Sequence, residues 1–354
     1  MQEDPRAVRN ACLAAAICRP TGCHETKTAA RRQPSSAHSP LITHLYTADP
    51  SAHVFDDKLY LYPSHDLGHD LRPSADGDHY DMKDYHVFSM ADVPGPVTDH
   101  GQVLHIDDVP WASRQLWAPD AARQGDTYYL FFPARDQAGV FRIGVATSQS
   151  PSGPFEPRPE PIAGSFSIDP AVFVDSSGAV YMYFGGLRGG QLQKWQKGTF
   201  EPEATEPSPS EPALGPRVAE LTDDMTALAE PAREVVILDE TERPLLAGDR
   251  ERRFFEGAWV HEYDGCYYLS YSTGDTHYVA YAISSSPTGP FVYRGRVLNP
   301  VIGWSTHHSI VEFHGQWYLF YHDSSLSGGV DHRRCVKCTE LVHGAYGRIQ
   351  TVDP

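Results

Sequence analysis

The chain has 354 residues, 40% of them hydrophobic and 11% aromatic, enough for one large domain or two ordinary ones with a sizeable core. Its 46 acidic residues against 29 basic ones leave a formal net charge of -17, which repels nucleic acid and anionic membrane surfaces and favours neutral or cationic partners such as sugars. No apolar run approaches the roughly 20 residues that a membrane span needs.

Residues 1–40 read as a disordered leader or a remnant of expression, rich in Ser, Pro, Arg and Thr. The stretch ACLAAAIC looks like a short signal-peptide core, but Glu3 and Asp4 precede it where a basic flank is expected. A cytoplasmic location is therefore slightly favoured. Three of the six cysteines (Cys12, Cys18, Cys23) fall in this leader, and six in so long a chain do not make a disulfide scaffold.

From Leu41 onward helical periodicity is nearly absent, whereas alternating, aromatic-rich runs recur: KLYLYP, TYYLFFP, AVYMYFGG, CYYLSYS and QWYLFYH. A shorter apolar segment stands ahead of each: ADPSAHVFDD, WAPDAARQGD, IDPAVFVDSSG, FEGAWVHEYDG and HHSIVEFHG. The repeated unit is an apolar strand, a tight turn carrying Asp or Gly, and a second strand rich in Tyr and Phe. The echoes IGVATSQSPSGPF and VAYAISSSPTGPF add a further strand and turn to the second and fourth units. Repeats of roughly 40 to 50 residues, each a small antiparallel sheet, are the signature of a β-propeller. Residues 41–354 are thus expected to be all-β, a five-bladed β-propeller.

Two insertions interrupt the repeat. LGHDLRPSADGDHYDMKDY, inside the first unit, is expected to be a loop on the channel face. Within 199–250, FEPEATEPSPSEPALGP has the composition of an exposed loop, and LTDDMTALAEPAREVVIL reads as a short helix and strand.

The innermost strands of a propeller line its central channel, so equivalent positions in different blades converge. The unit starts are Asp49, Ala118, Asp169, Glu256 and His308. Three of them are acids, expected to meet at one end of the channel with His308 nearby. Gathering carboxylates in a partly desolvated site is unfavourable unless they are hydrogen-bonded or chemically employed. Glycoside hydrolysis employs them: one carboxylate as base towards water, and one carboxylic acid kept protonated to donate to the leaving oxygen. A third raises the pKa of that acid.

ADPS at Asp49, WAPD at Trp117, IDPAVF at Asp169, FEGAW at Glu256 and HHSI at His308 together resemble glycoside hydrolase family 43, over Leu41 to about Ile349. The resemblance implies that Asp49 is the general base, Asp169 the pKa modulator and Glu256 the general acid of an inverting mechanism. It places the substrate arginine within DHRRC, with Arg333 favoured over Arg334. TADPSAHVFDDKLYLYPSHD looks most like the β-xylosidase and α-L-arabinofuranosidase branch. This implies exo-acting release of xylose, and of L-arabinose, from xylo-oligosaccharides and arabinoxylan fragments. The same resemblance implies a calcium ion in the channel, met by His308 and otherwise by water because calcium prefers oxygen ligands.

Trp117 and Phe255 flank channel positions, making them candidates for stacking on a sugar ring as well as core aromatics. His308 is also a candidate substrate contact. Ser64, His65 and Asp66 end a channel-side strand and could reach the pocket. Cys335 and Cys338 form a CxxC, but i and i+3 face opposite sides of a strand, which disfavours zinc, and the chain contains no HExxH. The competing functions are an endo-acting arabinanase, which needs an open groove, and a non-catalytic carbohydrate-binding propeller.

Overall fold

Each repeated unit folds as a hairpin whose first strand lies innermost. In the first unit β1 (Tyr46–Phe55) turns into β2 (Lys58–Asp66), followed by β3 (Asp84–Met90) and β4 (Thr98–His105) in the order 1-2-3-4. The turn Asp56-Asp57 has φ of 50° and 59°, and Asp264-Gly265 in the fourth unit has 50° and 70°. Two successive positive φ values are what a two-residue turn matched to strand twist requires, which is why Asp and Gly recur there. The computed structural model describes residues 38–74 and 76–354. The leader expected over residues 1–40 lies outside the described residues as far as residue 37.

The second sheet contains β5 (Ala112–Arg114), β6 (Asp120–Gln124), β7 (Thr127–Asp136), β8 (Phe141–Ser148) and β9 (Glu156–Pro157), with β6 innermost. In the third, β10 (Ala171–Val174), β11 (Val180–Phe184), β12 (Arg217–Glu220) and β13 (Arg233–Glu234) follow in order. The fourth runs β15 (Glu256–Tyr263), β16 (Cys266–Ser272), β17 (Val279–Ser284) and β18 (Phe291–Leu298), with β14 (Ile237–Leu238) parallel to β18 at its outer edge. The fifth comprises β19 (His308–Phe313), β20 (Gln316–Asp323) and β21 (Cys335–Glu340).

The innermost strands pack in a closed ring, β1 on β6, β6 on β10, β10 on β15, β15 on β19, and β19 on β1. This is a five-bladed propeller. Its core lies between blades, as the alternation of apolar residues on both strand faces dictates. Leu59, Leu61 and Phe88 of blade 1 meet Phe320 and Val336 of blade 5 on one side, and Tyr62 and Tyr85 meet Leu130 and Phe132 of blade 2 on the other. The ring is tied shut where Leu41 N–H donates to Val336 O and Thr47 N–H to Arg334 O (2.8 and 2.9 Å).

The two Ser-Pro-x-Gly-Pro echoes adopt one structure. The N–H groups of Gly153 and Gly289 both donate to the carbonyl three residues earlier at 3.1 Å, and both Gly-Pro bonds are cis. Residues 221–238 contain no helix, contrary to expectation. Thr222 and Asp224 close a side-chain-bonded turn, Met225 sits at φ 51°, and Pro231 lacks the N–H that a helix interior needs, leaving the two-residue strands β13 and β14.

Candidate active site

The three acids stand where their strands begin. Asp49 lies at a bulge in β1, between Ala48 and Ser51, with φ 48°; Asp169 just precedes β10 with φ 57°; Glu256 opens β15 at a second bulge. Bulges and left-handed residues turn a side chain out of the regular alternation, here towards the channel mouth. All three line one cavity of about 360 Å³. Its wall draws on every blade: Tyr80 and Met82 from the blade 1 insertion, Trp117 from blade 2, Ile168 and Arg188 from blade 3, Phe255 from blade 4, and Trp304, His307 and Arg334 from blade 5.

The environments of the acids differ. Asp49 is held by donors on both oxygens: Arg334 Nη1 donates to Oδ1 at 3.0 Å and Ser64 Oγ to Oδ2 at 2.7 Å. Its own N–H donates to Nδ1 of His322 (2.9 Å), which fixes the proton of that neutral, fully buried imidazole on Nε2, facing Ser305 Oγ at 3.1 Å. Burial and then the Arg334 charge hold the His322 pKa well below its usual value.

Asp169 accepts the N–H of Gly257 at 2.9 Å. Burial, then Glu256 and Asp49, push its pKa well above the usual carboxylate range. Glu256 is raised to about 8, first by burial and then by Asp49, against the opposing charges of Arg334 and Arg188. The site therefore offers one carboxylate ion-paired to arginine and one acid that keeps its proton at neutral pH. The Gly257 donor favours the ionised form of Asp169, but burial and the neighbouring acids outweigh it, so both members of the pair are shifted upward.

Arg334, not Arg333, is the arginine of the cavity. Its Nε and Nη2 grip Asp66 at 2.9 and 2.8 Å, its Nη1 meets Asp49, and its guanidinium lies over Tyr80. Arg333 points away, to Gly68 O and the exposed Asp70. Neighbours along an extended chain face opposite ways, so an offset of one residue exchanges them. The same parity corrects His308 as a substrate contact: His307 lines the cavity, while His308 is wholly buried with Nε2 on Ser270 Oγ at 2.6 Å. Nδ1 of His308 is a buried ring nitrogen without a hydrogen-bond partner among the described residues, the condition expected of a ligand or of a nitrogen facing ordered water.

Trp117 and Phe255 line the cavity as expected, and each is packed from behind. Trp117 Nε1 donates to Tyr80 O at 2.9 Å, and Phe255 lies edge-on to Trp304. Ser64 and Asp66 act through Asp49 and Arg334 rather than from the cavity wall. Cys335 and Cys338 are free thiols, Cys335 against Asp323 and Cys338 in the packing between blades 1 and 5.

Two positions that support the cavity escaped the sequence reading. Asp120, the acid of WAPD, bridges three blades: Oδ1 meets Ser51 Oγ and His53 Nε2, and Oδ2 accepts the N–H of Val172. It thereby joins the strand that bears Asp49 to the strand that follows Asp169. Arg188 overlies Phe255 at the cavity rim, clamped by both oxygens of Asp275 and by Glu206 of the 199–250 insertion. The place of WAPD among the unit starts could have flagged Asp120. Arg188 belongs to no repeat and gave no signal.

Converging carboxylates, one of them a retained acid, in a sugar-sized cavity at the mouth of a propeller channel define a glycoside hydrolase. Residues 37–342 match the family model described as glycosyl hydrolases family 43. The chain is 62% identical over 325 residues to xylosidase/arabinosidase 43A of Humicola insolens, covering 89% of this chain and 99% of that one. It is 54% identical to a xylosidase/arabinosidase of Bacteroides ovatus, covering 87% and 95%. Among solved structures, the β-xylosidase/α-arabinofuranosidase CoXyl43 from a compost microbial metagenome, in a calcium-free complex with xylotriose, superposes with a TM-score of 0.89 at 60% identity, over 90% of this chain and 98% of that one. The GH43_1 enzyme of Xanthomonas citri complexed with xylotriose gives 0.86 at 58%, over 90% and 94%. The chain belongs to glycosyl hydrolase family 43, in its xylosidase/arabinosidase branch.

Proposed function

We propose that the chain is an inverting, exo-acting glycosidase that releases xylose, and also L-arabinose, from xylo-oligosaccharides and arabinoxylan fragments. The observation that carries the exo reading is the size of the cavity, about 360 Å³ and lined by residues of all five blades, which suits a terminal sugar rather than a long run of polymer. The relatives support the choice of pentose, since those named above are xylosidases and arabinosidases and two of the structures hold xylotriose.

In this reading Glu256 donates its proton to the glycosidic oxygen as the bond to the anomeric carbon breaks. Asp49 takes a proton from a water that attacks that carbon from the opposite face, so the configuration inverts. At the end of the step Glu256 is ionised and Asp49 protonated, and exchange with solvent restores both. Asp169 keeps the Glu256 proton in place by its charge. Arg334 holds Asp49 aimed, and Trp117 and Phe255 offer apolar faces to the sugar ring. The orphaned Nδ1 of His308 fits an ion held mainly through water, and calcium held there would supply a fixed positive charge.

Nitrophenyl β-D-xyloside and α-L-arabinofuranoside, assayed with and without a chelator, test the substrate and the ion together. Xylotriose should yield xylose as the first product. A ladder of oligomers from arabinan with no monomer would overturn the exo reading, and binding of xylotriose without turnover would overturn catalysis.

A further inference from the structure

On the face of blade 1 that also carries Leu59, Leu61 and Phe88, a second group of chemistry-bearing side chains lies away from the cavity. β2 and β3 pair Ser64 with Tyr85, which sets His65 beside Asp84, with His86 two residues further along β3. His65 Nδ1 is 2.6 Å from Asp84 Oδ1, and the His65 and His86 rings stand edge to face with centroids 5.2 Å apart. One donor atom from each of the three residues lies within 4.8 Å of the others. All three side chains retain 14–17% of their exposure, so an ion could reach them from solvent.

We propose that His65, Asp84 and His86 bind a divalent ion of the zinc class. Two imidazoles and one carboxylate suit zinc, cobalt or nickel, whereas calcium takes six or more oxygens. Zinc bonds of about 2.0–2.1 Å place tetrahedral ligand atoms roughly 3.3 Å apart, a spacing that side-chain rotation reaches from the present one. The fourth position is left to water. The support behind the ligands is also in place: His86 Nδ1 faces Asp99 Oδ1 at 3.2 Å, and Asp99 is itself fixed by His44 Nε2 (2.8 Å) and the N–H of Gly101 (2.8 Å). A carboxylate behind an imidazole sets its tautomer and strengthens it as a ligand. His65 lies between Ser64, which donates to Asp49, and Asp66, which grips Arg334, so an ion here braces the strand behind the catalytic base.

The test uses the untagged full chain. Equilibrium dialysis against zinc should show one ion more per chain for the wild type than for the His65→Ala/His86→Ala variant, with folding checked by circular dichroism. Cobalt should give a visible absorption band typical of four-coordination that the double variant lacks and that excess calcium does not remove. Asp99→Asn, which leaves all three ligands in place, should weaken zinc binding by about 10–100-fold. Equal zinc stoichiometry and affinity in all three proteins, or displacement of cobalt by calcium, would overturn the site.

Discussion

Arg334 Nη1 lies 3.0 Å from Asp49 Oδ1 while the rest of the same guanidinium is bound, bidentate, to Asp66. Both aspartates belong to blade 1, and the arginine comes from the segment entering the third strand of blade 5. Buried carboxylates whose cation is removed are left uncompensated, at a cost of about 3–5 kcal/mol. Arg334→Met should lower the unfolding free energy in urea by an amount of that order, and kcat should fall with it. Arg334→Lys should recover part of the stability and little of the rate, because an ammonium cannot span the two carboxylates. Equal kcat for wild type and Met variant would remove Arg334 from the site.

In the proposed reaction Glu256 is the acid and must carry its proton. With the Glu256 pKa raised to about 8, the protonated form predominates below that pH and is lost as pH rises through it. The kcat/KM profile of the free enzyme should therefore hold level through neutrality and fall on an alkaline limb near 8. A limb at the ordinary carboxylate pKa would contradict the assignment.

Removing the acid should matter most where the leaving group is poor. Glu256→Gln should reduce hydrolysis of xylobiose by about 10²–10⁴-fold. Nitrophenyl xyloside, whose leaving group needs less help, should lose less. Asp169→Asn removes a neighbouring negative charge, so its alkaline limb should move to lower pH. An unmoved limb would count against Asp169 as the modulator.

Asp120 touches no part of the cavity, yet it connects β1 to β10. Asp120→Asn keeps the shape but replaces an acceptor with a donor facing the Val172 N–H or the Ser51 and His53 pair. The expected result is a drop in kcat of about tenfold with little change in KM, the pattern of misplaced catalytic groups. A rise in KM alone would instead implicate substrate binding.

Gly257 has φ 66°, and a Cβ there would run into the His307 ring. Gly257→Ala should destabilise the protein and disturb both the N–H offered to Asp169 and the side chain of Glu256 next to it. Thermal melting and the pH profile should change together. A shift in melting temperature with an unaltered profile would show that the N–H does not tune the acid pair.

The three acids were legible in the sequence because each occupies the same place in a repeated unit, and repetition is a long-range signal written locally. Arg334 and His307 were each missed by one residue. Motif alignment locates a segment, whereas the facing of a side chain depends on strand parity, which slips where an irregular segment enters a strand. Arg188 was illegible for a different reason. It stands outside the repeats at φ 52°, and its partners Glu206 and Asp275 are 18 and 87 residues away. The helix expected in 221–238 failed because side-chain bonds from Thr222 and Asp224 offered the backbone a turn instead.

The tie between the ends of the ring has a bearing on biosynthesis. Asp49 is made early, but its arginine partner is encoded 285 residues later, and Thr47 also waits for Arg334 O. A nascent chain thus carries the base without its counter-ion until the last blade has left the ribosome and docked against the first. If Asp49 is the base as proposed, hydrolytic activity requires the fifth blade to have docked on the first, and a chain cut short before β21 would retain most of its blades yet leave Asp49 without its arginine.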